Sequence, residues 1–530
     1  MKTVCTITVN SPNEKEVFAR YLPRDEYRFV ELVERDRPDW LESACRQDIR
    51  CDALIISGHF DGGDQFYTDR LDAREFLPVA ELERASCSDS CPGVFSQLKE
   101  VYLFGCNTLN AEAMRSASAE IARSLVRSGQ SPADAERLAR LLGERHGESN
   151  RDRMRHIFKG VPVLYGFSSK APLGRTAGPL LERYFQSTPA PEVASGKVSA
   201  KLVGLFAPTS MTMASGLTDF DPHAGFRTDV CHFSDDRLSV ARKLAFVHDL
   251  LRRDMAEVRM FLDHLERYAA SLTAEARHAL EAAAALDEIA KDRAARDRYL
   301  EFARDADQPA TQARMIDLAE SLGWLTPPQA QAQFLTMIAE RMTRNAIGSA
   351  EVDLVCGRAT ERDAGIAADR LPAAAPRRGN VAHAAVLACL GSDERRTEVL
   401  RALTSGNDED VAIAQVYLRH RPIAGVDEQR QLAAAVARMP PSDAQVRAID
   451  TLARLRIADP ESLTELARLY RQARSAATQR AIAGVLIRAD YPQPERADLV
   501  RSLRAHRVKS PDSEDVIDAL LRRLQAAQAP

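Results

Sequence analysis

A histidine and a cysteine each follow an apolar segment of this 530-residue chain. His59 comes just after "CDALIIS", which starts at residue 51, and Cys106 just after "EVYLFG", which starts at residue 100. A cysteine thiolate is a strong nucleophile, and a neutral imidazole can accept the thiol proton and later donate it to a leaving amine. The two side chains could together break an amide bond, provided that the fold brings them into one site.

The elements that would position this pair lie in the first 230 residues. Apolar, β-branched segments predict strands at residues 3–9, 27–33, 51–57, 100–105 and 161–167, with helical patterns between them. Alternating strands and helices favour a mostly parallel sheet with helices on both faces. The carboxyl ends of parallel strands meet at one edge of the sheet, so we expect His59 and Cys106 to face the same crevice. A helix that starts just after Cys106 should favour the thiolate through its N-terminal amides.

The two segments resemble the motifs of the caspase-like cysteine peptidases, the group that includes separases, gingipains and CHAT domains. In that group an apolar strand ends in His-Gly, and about fifty residues later another ends in a small residue and the catalytic Cys. "LIISGHFDG" and "VYLFGCNTL" match these motifs in order and spacing. Over residues 1–230 the resemblance implies an α/β caspase-like fold and a cysteine endopeptidase without cofactor or metal. It makes Cys106 the nucleophile and His59 the general base and acid.

The sequence departs from the group at one position beside the histidine. Phe60 follows His59, where the group usually has glycine. Any residue can supply a backbone amide, so we expect the N–H groups of Phe60 and Cys106 to hold the oxyanion.

The resemblance also suggests a substrate pocket. The segment "GVPVLYGFSS" resembles the strand that borders the pocket, which makes Gly166, Phe167 and Ser168 candidate pocket residues. Asp64, in the loop after His59, is a candidate for selecting a basic side chain of the substrate. The alternative for Asp64 is a solvated loop in which aspartates cap turns.

The rest of the chain has a different pattern. From residue 231 strand patterns give way to alanine-, leucine- and arginine-rich helical ones, so we predict an α-helical domain over residues 231–372. In residues 373–530 three similar segments recur about every 33 to 35 residues. This period resembles HEAT-type helical repeats. Such repeats present a long surface, and we expect this one to recruit a protein substrate or a protein activator.

Composition bears on whether the protein binds nucleic acid or membranes, and on the compartment in which it is found. The formal net charge is -4, which gives no overall attraction to nucleic acid or to an anionic membrane. No segment has the roughly 18 consecutive apolar residues of a membrane helix. The nine cysteines are scattered, several in apolar contexts, which favours reduced thiols and a cytoplasmic protein. Cys87 and Cys91 lack a second ligand pair for zinc and are expected to be thiols packed near the site.

Two alternative functions stay open. The same pair of side chains could serve a thiol hydrolase or acyltransferase that acts on a small substrate. A buried structural cysteine and a hydrogen-bonded structural histidine are each common in proteins. The chain could then be a catalytically inert scaffold that binds partners through a caspase-like domain and helical repeats.

Overall fold

A computed structural model describes most of the chain and divides it into two compact units. The first unit is Met1–Asp307 with Arg314–Thr326, and the second is Gln308–Ala313 with Pro327–Pro530. The described residues are 1–32, 41, 45, 49–60, 63–68, 75–88, 91–112, 117–127, 129–146, 149–188, 193–221, 224–306, 308–358, 371, 380–423, 425–457, 459–489, 491–508 and 516–526.

In the described part of the first unit the strands are β1 Lys2–Thr8, β2 Tyr27–Glu31, β3 Ala53–Ser57, β4 Gln65–Tyr67, β5 Phe76–Pro78, β6 Glu100–Phe104, β7 Val163–Phe167 and β8 Met211–Ala214. Six of them form one sheet in the order β2-β1-β3-β6-β7-β8. Neighbours from β2 to β7 are parallel, β8 is antiparallel to β7, and β4 pairs with β5 in a separate antiparallel ribbon. The five predicted strands and the mostly parallel sheet are confirmed. The sequence did not indicate β4, β5 and β8, which are three or four residues long.

Helices occupy most of the remaining described part of the first unit. They are α1 Asn13–Tyr21, α2 Val79–Cys87, α3 Pro92–Phe95, α4 Ser118–Arg127, α5 Pro132–Arg145, α6 Asn150–Ile157, α7 Gly174–Gln186, α8 Ala200–Phe206, α9 Ala224–Ser234, α10 Val240–Leu251, α11 Met255–Met260, α12 Leu262–Ser271, α13 Ala274–His278, α14 Leu280–Lys291 and α15 Arg293–Arg304. The next helix, α16 Pro309–Ser321, contributes residues to both units.

The sheet buries both of its faces, because successive side chains of a strand point to opposite sides. Residues 53 and 55 of β3 belong to a core cluster that includes Phe18 of α1 and Leu181 of α7. Residues 54 and 56 belong to a different cluster, with Leu82 of α2 and Met154 of α6. The prediction of helices on both faces is therefore confirmed. Central strands with two buried faces also explain why "ALIIS" and "EVYLF" are almost continuously apolar.

The second unit is built from helices in its described part. They are α17 Pro327–Thr343, α18 Ser349–Arg358, α19 Val381–Cys389, α20 Asp393–Ala402, α21 Asp408–His420, α22 Val426–Ala437, α23 Asp443–Arg454, α24 Pro460–Gln472, α25 Ala476–Leu486, α26 Gln493–Ala505 and α27 Val516–Ala526. From α21 onwards alternate helices pack together: α21, α23, α25 and α27 form one layer, and α22, α24 and α26 form another. The prediction of a large helical region is confirmed. The resemblance of this region to HEAT repeats stays a prediction.

Two buried glutamines show how neighbouring helices of the second unit are joined. Gln445 Nε2 donates to the carbonyls of Val436 and Met439, at the end of α22. Gln479, 34 positions later, donates in the same way to Tyr470 and Ala473, at the end of α24. The regular helical pattern leaves the last carbonyls of a helix without their usual donors, and each glutamine supplies donors at that point.

The boundaries predicted at residues 230 and 372 differ from this two-unit division. The three-domain organisation stays a prediction. Two features of the structure bear on its second boundary. The Cys356–Cys389 disulfide links residues on either side of it, and so does one hydrophobic cluster that contains Val352 and Val386.

The prediction of reduced thiols is wrong. Eight of the nine cysteines form four disulfides: Cys5–Cys51, Cys45–Cys91, Cys87–Cys231 and Cys356–Cys389. Their Cα–Cα distances of 4.5–5.7 Å fall in the range that a disulfide requires. The partners are 33 to 144 residues apart, so only the fold reveals the pairing. Disulfides persist mainly in oxidising compartments, and the predicted cytoplasmic location loses the support of reduced thiols.

Each helix among the described residues is too short or too polar to span a membrane.

Two histidines in the interior of the first unit should make the protein sensitive to acid. His146 and His156 are 6% and 7% exposed. Burial, followed by the charge of Arg145, lowers the pKa of His146 from 6.5 to about 3. Burial lowers that of His156 to about 4, with Asp152 opposing the shift. Below pH 6.5 the unfolded chain therefore takes up two protons that the folded protein refuses until the pH is much lower.

We therefore expect the free energy of unfolding to fall as the pH drops from about 6.5 towards 4. The slope should approach about 1.4 kcal/mol per pH unit for each histidine. Urea unfolding near pH 7 and near pH 5 measures the loss, and His156→Gln should remove about half of the two-histidine term. The exposed His278→Gln serves as the matched control and should leave the pH dependence unchanged. The same pH dependence in His156→Gln and wild type would contradict this account.

Candidate functional site

The structure brings His59 and Cys106 to one cleft at the carboxyl edge of the sheet. Strands β3 and β6 are parallel neighbours, with Ser57 opposite Phe104. Beyond this pair the N–H of Gly58 donates to the carbonyl of Phe104 at 3.0 Å. The two segments that follow β3 and β6 then leave the sheet side by side. His59 and Cys106, which lie on these segments, line the same cavity of about 40 Å³. The predicted juxtaposition is therefore present in the structure.

Cys106 is the single cysteine outside the four disulfides, and it is partly exposed. Its Sγ accepts a hydrogen bond from the backbone N–H of Ala171 at 3.3 Å. Residues 171–174, which end at the first residue of α7, form the wall of the cleft beside this sulfur.

The prediction that a helix starts just after Cys106 is wrong. Residues 106–109 form turns, and the next described helix is α4, which begins at Ser118. Asn107 adopts a left-handed conformation with φ of 60°, which ends any helical path at that point. The Thr108 hydroxyl donates to the carbonyl of Gly105 at 3.1 Å, a local bond that competes with helix formation. The donor beside the sulfur therefore comes from a distant segment of the chain.

The backbone of His59 is fixed by a short bridge to β4. The N–H of His59 donates to the carbonyl of Tyr67, and the N–H of Tyr67 donates back, both at 2.9 Å. The two rings lie 5.4 Å apart between their centroids. Because this residue pair extends the β4–β5 ribbon, a short element that the sequence did not indicate sets the direction in which His59 leaves the sheet.

The two amides predicted to hold an oxyanion differ in their surroundings. Phe60 is fully buried and packs on Phe66, with ring centroids 4.6 Å apart. Within the part of the chain that the structure describes, no group accepts a hydrogen bond from the N–H of Cys106. That amide is therefore available to a bound oxygen atom next to the thiol. The role of Phe60 in holding an oxyanion stays a prediction.

Gly105 allows the two strand ends to approach each other. A Cβ atom at this position would lie 2.8 Å from Cβ of Phe60 and 2.9 Å from the carbonyl oxygen of Gly58. Real Cβ atoms essentially never come that close, so a side chain here must push the His59 segment away from Cys106. The glycine before the cysteine is thus required by the geometry of this cleft.

We expect Gly105→Ala to lower the free energy of unfolding by about 1–3 kcal/mol, the usual cost of overpacking. Urea unfolding measures this effect. Gly204→Ala is the matched control, because no atom lies within 4 Å of the Cβ position of this α8 residue. Alanine is also the better helix former, so the control should be neutral or stabilising by up to about 1 kcal/mol. Equal stability of Gly105→Ala and wild type would show that the strand ends can separate freely.

Glu14 and Ser57 line the cleft, and the sequence did not point to either. Glu14 is 2% exposed, and its carboxylate oxygen Oε2 lies 2.9 Å from Oγ of Ser57. Burial raises the pKa of this carboxyl, with hydrogen bonds acting in the opposite direction. In the sequence Glu14 is one of two acidic residues in the first turn of α1, a common position for acids at helix N-termini. Nothing in that pattern marks it as a residue of the cleft.

The proposed pocket residues do not line this cleft. Gly166 and Phe167 are buried in β7, and Ser168 donates its N–H to the carbonyl of Ser210 near the start of β8. Asp64 lines a separate cavity and lies 3.8 Å from Arg153. Their role in selecting a substrate side chain stays a prediction that the position of the cleft does not favour.

Among the described residues, no group of three or more His, Cys, Asp or Glu side chains is arranged to hold a metal ion. Comparisons of the chain with models of protein families, with curated proteins and with solved structures find no match.

Proposed function

We propose that the first unit is a cysteine endopeptidase of the caspase-like kind, with Cys106 as the nucleophile and His59 as the general base and acid. The observation that carries the proposal is the placement of the unpaired cysteine. Of nine cysteines, the one left out of disulfides stands beside a histidine at the ends of two adjacent parallel strands. Thiol chemistry at this position is the simplest reason to keep one cysteine reduced while the others are paired.

The reaction follows from the groups around the sulfur. His59 takes the proton from the thiol, and Sγ of Cys106 attacks the scissile carbonyl carbon to form a tetrahedral intermediate. The N–H of Cys106 donates to the developing oxyanion. Protonated His59 then gives its proton to the leaving amine, and the C–N bond breaks to leave a thioester. Water, deprotonated by His59, hydrolyses the thioester and restores the free thiol.

The size of the cleft favours a polymeric substrate. A cavity of about 40 Å³ has room for a few water molecules and not for a drug-sized ligand, whose pockets are about 300–1,000 Å³. A peptide that lies across the surface needs to insert only its carbonyl group. The residue that precedes the cleaved bond is left open, because none of the proposed pocket residues lines the cleft.

The helical region is proposed to bind a protein, either the substrate or an activator. Its two layers of stacked helices present an extended surface of the kind that repeat proteins use for partners. The four disulfides favour an oxidising compartment as the place where the protein works.

One observation favours the alternative of an inert scaffold. The hydrogen bond that Sγ of Cys106 forms is with Ala171, and among the described residues none joins it to His59. Catalytic hydrogen bonds are often long without substrate and tighten only in the complex. An inert protein would nevertheless have no need of such a bond in any state.

The rate at which iodoacetamide alkylates Cys106 separates the two functions. In the enzyme His59 promotes thiolate formation, so His59→Ala should slow alkylation near neutral pH by about tenfold, with less effect at high pH where any thiol ionises. His278→Ala, on an exposed residue of α13, is the matched control and should leave the rate unchanged. Equal rates in wild type and His59→Ala across the pH range would favour the scaffold.

A further inference from the structure

A second and larger cavity lies within the first unit, and its lining shares no residue with the cleft of Cys106. Its volume is about 480 Å³, within the range of small-molecule sites. It is enclosed mainly by α2, α6, α9, α11 and α12, and its lining is about equally polar and apolar. The polar part contains four arginines, three histidines and four carboxylates: Arg153, Arg227, Arg259, Arg267, His146, His156, His264, Asp64, Glu83, Asp263 and Glu266.

Each carboxylate in this set already has a cation beside it. Glu83 accepts from His264 Nε2 at 3.1 Å and lies 3.7 Å from Arg153. Burial alone would raise the pKa of Glu83, but His264 and Arg153 hold it at about 2, so the group is ionised. Both Asp263 and Glu266 are paired with Arg314. The negative charges of the cavity are therefore compensated within the protein.

The guanidinium groups of Arg153 and Arg267 form few hydrogen bonds with the described residues. Arg153 forms one hydrogen bond, from Nη1 to the carbonyl of Gly63 at 2.9 Å, and its two neighbouring carboxylates lie beyond hydrogen-bond distance. Arg267 bonds only to the backbone carbonyl of Asp263, and among the described residues no carboxylate comes within ion-pair distance of it. A guanidinium has five N–H donors. Most donors of these two arginines therefore have no acceptor among the residues that the structure describes.

Ring nitrogens of the three histidines in the cavity also lack hydrogen-bond partners among the described residues. Within the described part of the chain, no group hydrogen-bonds with either ring nitrogen of His146 or His156, or with Nδ1 of His264. Buried polar atoms are normally satisfied, by protein or by something bound. A neutral imidazole contributes one donor and one acceptor, so these rings do not offset the surplus of arginine donors. Among the described residues, the donors of Arg153 and Arg267 therefore outnumber the acceptors that they reach.

We propose that this cavity binds a small organic molecule that carries an oxyanion, either a carboxylate or a phosphate. Such a group supplies several acceptor atoms at once and matches the fork of a guanidinium. Arg153 and Arg267 hold the oxyanion, and the apolar walls, which include Phe226 and Val230, cover the remainder of the molecule. The proposal does not rest on the proposed peptidase reaction, since neither His59 nor Cys106 lines the cavity.

Isothermal titration of the full chain with citrate and, separately, with inorganic phosphate tests the proposal at constant ionic strength. We expect saturable one-to-one binding of at least one of these anions, and none of glycerol, a neutral polyol. Preference for citrate points to a carboxylate ligand, and preference for phosphate to a phosphorylated one. Cys106→Ala should bind equally well, which separates this result from the fate of the peptidase proposal.

Arg267→Gln provides the decisive variant, because this exposed side chain has no ion pair whose loss would disturb folding. It should weaken anion binding by about tenfold, the effect of losing one charge-assisted contact. Arg242→Gln, an equally exposed arginine outside the cavity, is the matched control and should bind like wild type. The proposal is overturned if neither anion binds at millimolar concentration, if Arg267→Gln binds like wild type, or if both variants are weakened alike.

Discussion

Replacement of Cys106 by alanine is expected to reduce peptide hydrolysis by at least about a thousandfold, to the background of the uncatalysed reaction. The sulfur forms the covalent bond to the substrate, and no other free thiol stands in the described cleft to replace it. His59→Ala should cost nearly as much, because a thiol without its base is a poor nucleophile at neutral pH. The double variant should be no slower than either single one, since residues that act as a unit do not have additive effects.

A peptide library incubated with purified full-length protein provides the measurement, with mass-spectrometric identification of the cleaved bonds. His278→Ala is a suitable control, because this residue is exposed and lies outside the cleft. Its turnover should be close to that of wild type. Urea unfolding of each variant shows whether the fold is intact, and we expect changes below about 1 kcal/mol for Cys106→Ala. Turnover of Cys106→Ala above a tenth of wild type would disprove the assignment of the nucleophile.

The placement of His59 and Cys106 in one cleft could be predicted, because it depends on local sequence patterns and one general rule. The segments before these residues are apolar enough to be central strands, and parallel strands present their carboxyl ends at one edge. Strand neighbours cannot be read from the sequence alone, so the prediction required β3 and β6 to be neighbours. They do lie next to each other in the sheet.

The parts that could not be predicted depend on contacts between distant segments. The donor to Sγ comes from Ala171, 65 residues after the cysteine, and Glu14 reaches the cleft from α1. Strand β8 is four residues long and half exposed, so its composition does not distinguish it from a loop. The helix predicted just after Cys106 does not form, and the reason is local. Asn107 adopts a left-handed backbone conformation, and the Thr108 hydroxyl donates to the carbonyl of Gly105.

The cysteines illustrate the same limit in another way. Their scatter and odd number indicated reduced thiols, yet eight of them are paired across 33 to 144 residues. The odd number has a functional explanation once the pairs are known, since the remaining cysteine is the proposed nucleophile. The pairing also leads to the second prediction of large effect.

Removal of the Cys87–Cys231 disulfide is expected to destabilise the first unit by about 4 kcal/mol. The bond joins the end of α2 to α9 and closes a loop over 144 positions of sequence. In the chain-entropy account, a cross-link over so long a loop removes much of the freedom of the unfolded chain. The folded protein loses little in exchange, because Arg227 of α9 also donates to the carbonyl of Ser86 and keeps the two helices in contact. The double variant Cys87→Ala, Cys231→Ala should therefore fold, but with a much lower urea midpoint.

Comparison with a second disulfide makes this prediction specific. Cys356–Cys389 lies in the second unit and closes a loop over only 33 positions, so its double alanine variant should lose about 1 kcal/mol less. It should also leave the unfolding of the first unit unchanged, as should Cys106→Ala, which breaks no bond. Alkylation of the denatured, unreduced protein should modify a single cysteine, Cys106. If Cys87→Ala, Cys231→Ala unfolds at the wild-type urea concentration, the covalent link does not stabilise the fold. If alkylation modifies more than one cysteine, Cys106 is no longer distinguished as the free thiol, and the peptidase proposal then depends on the geometry of the cleft alone.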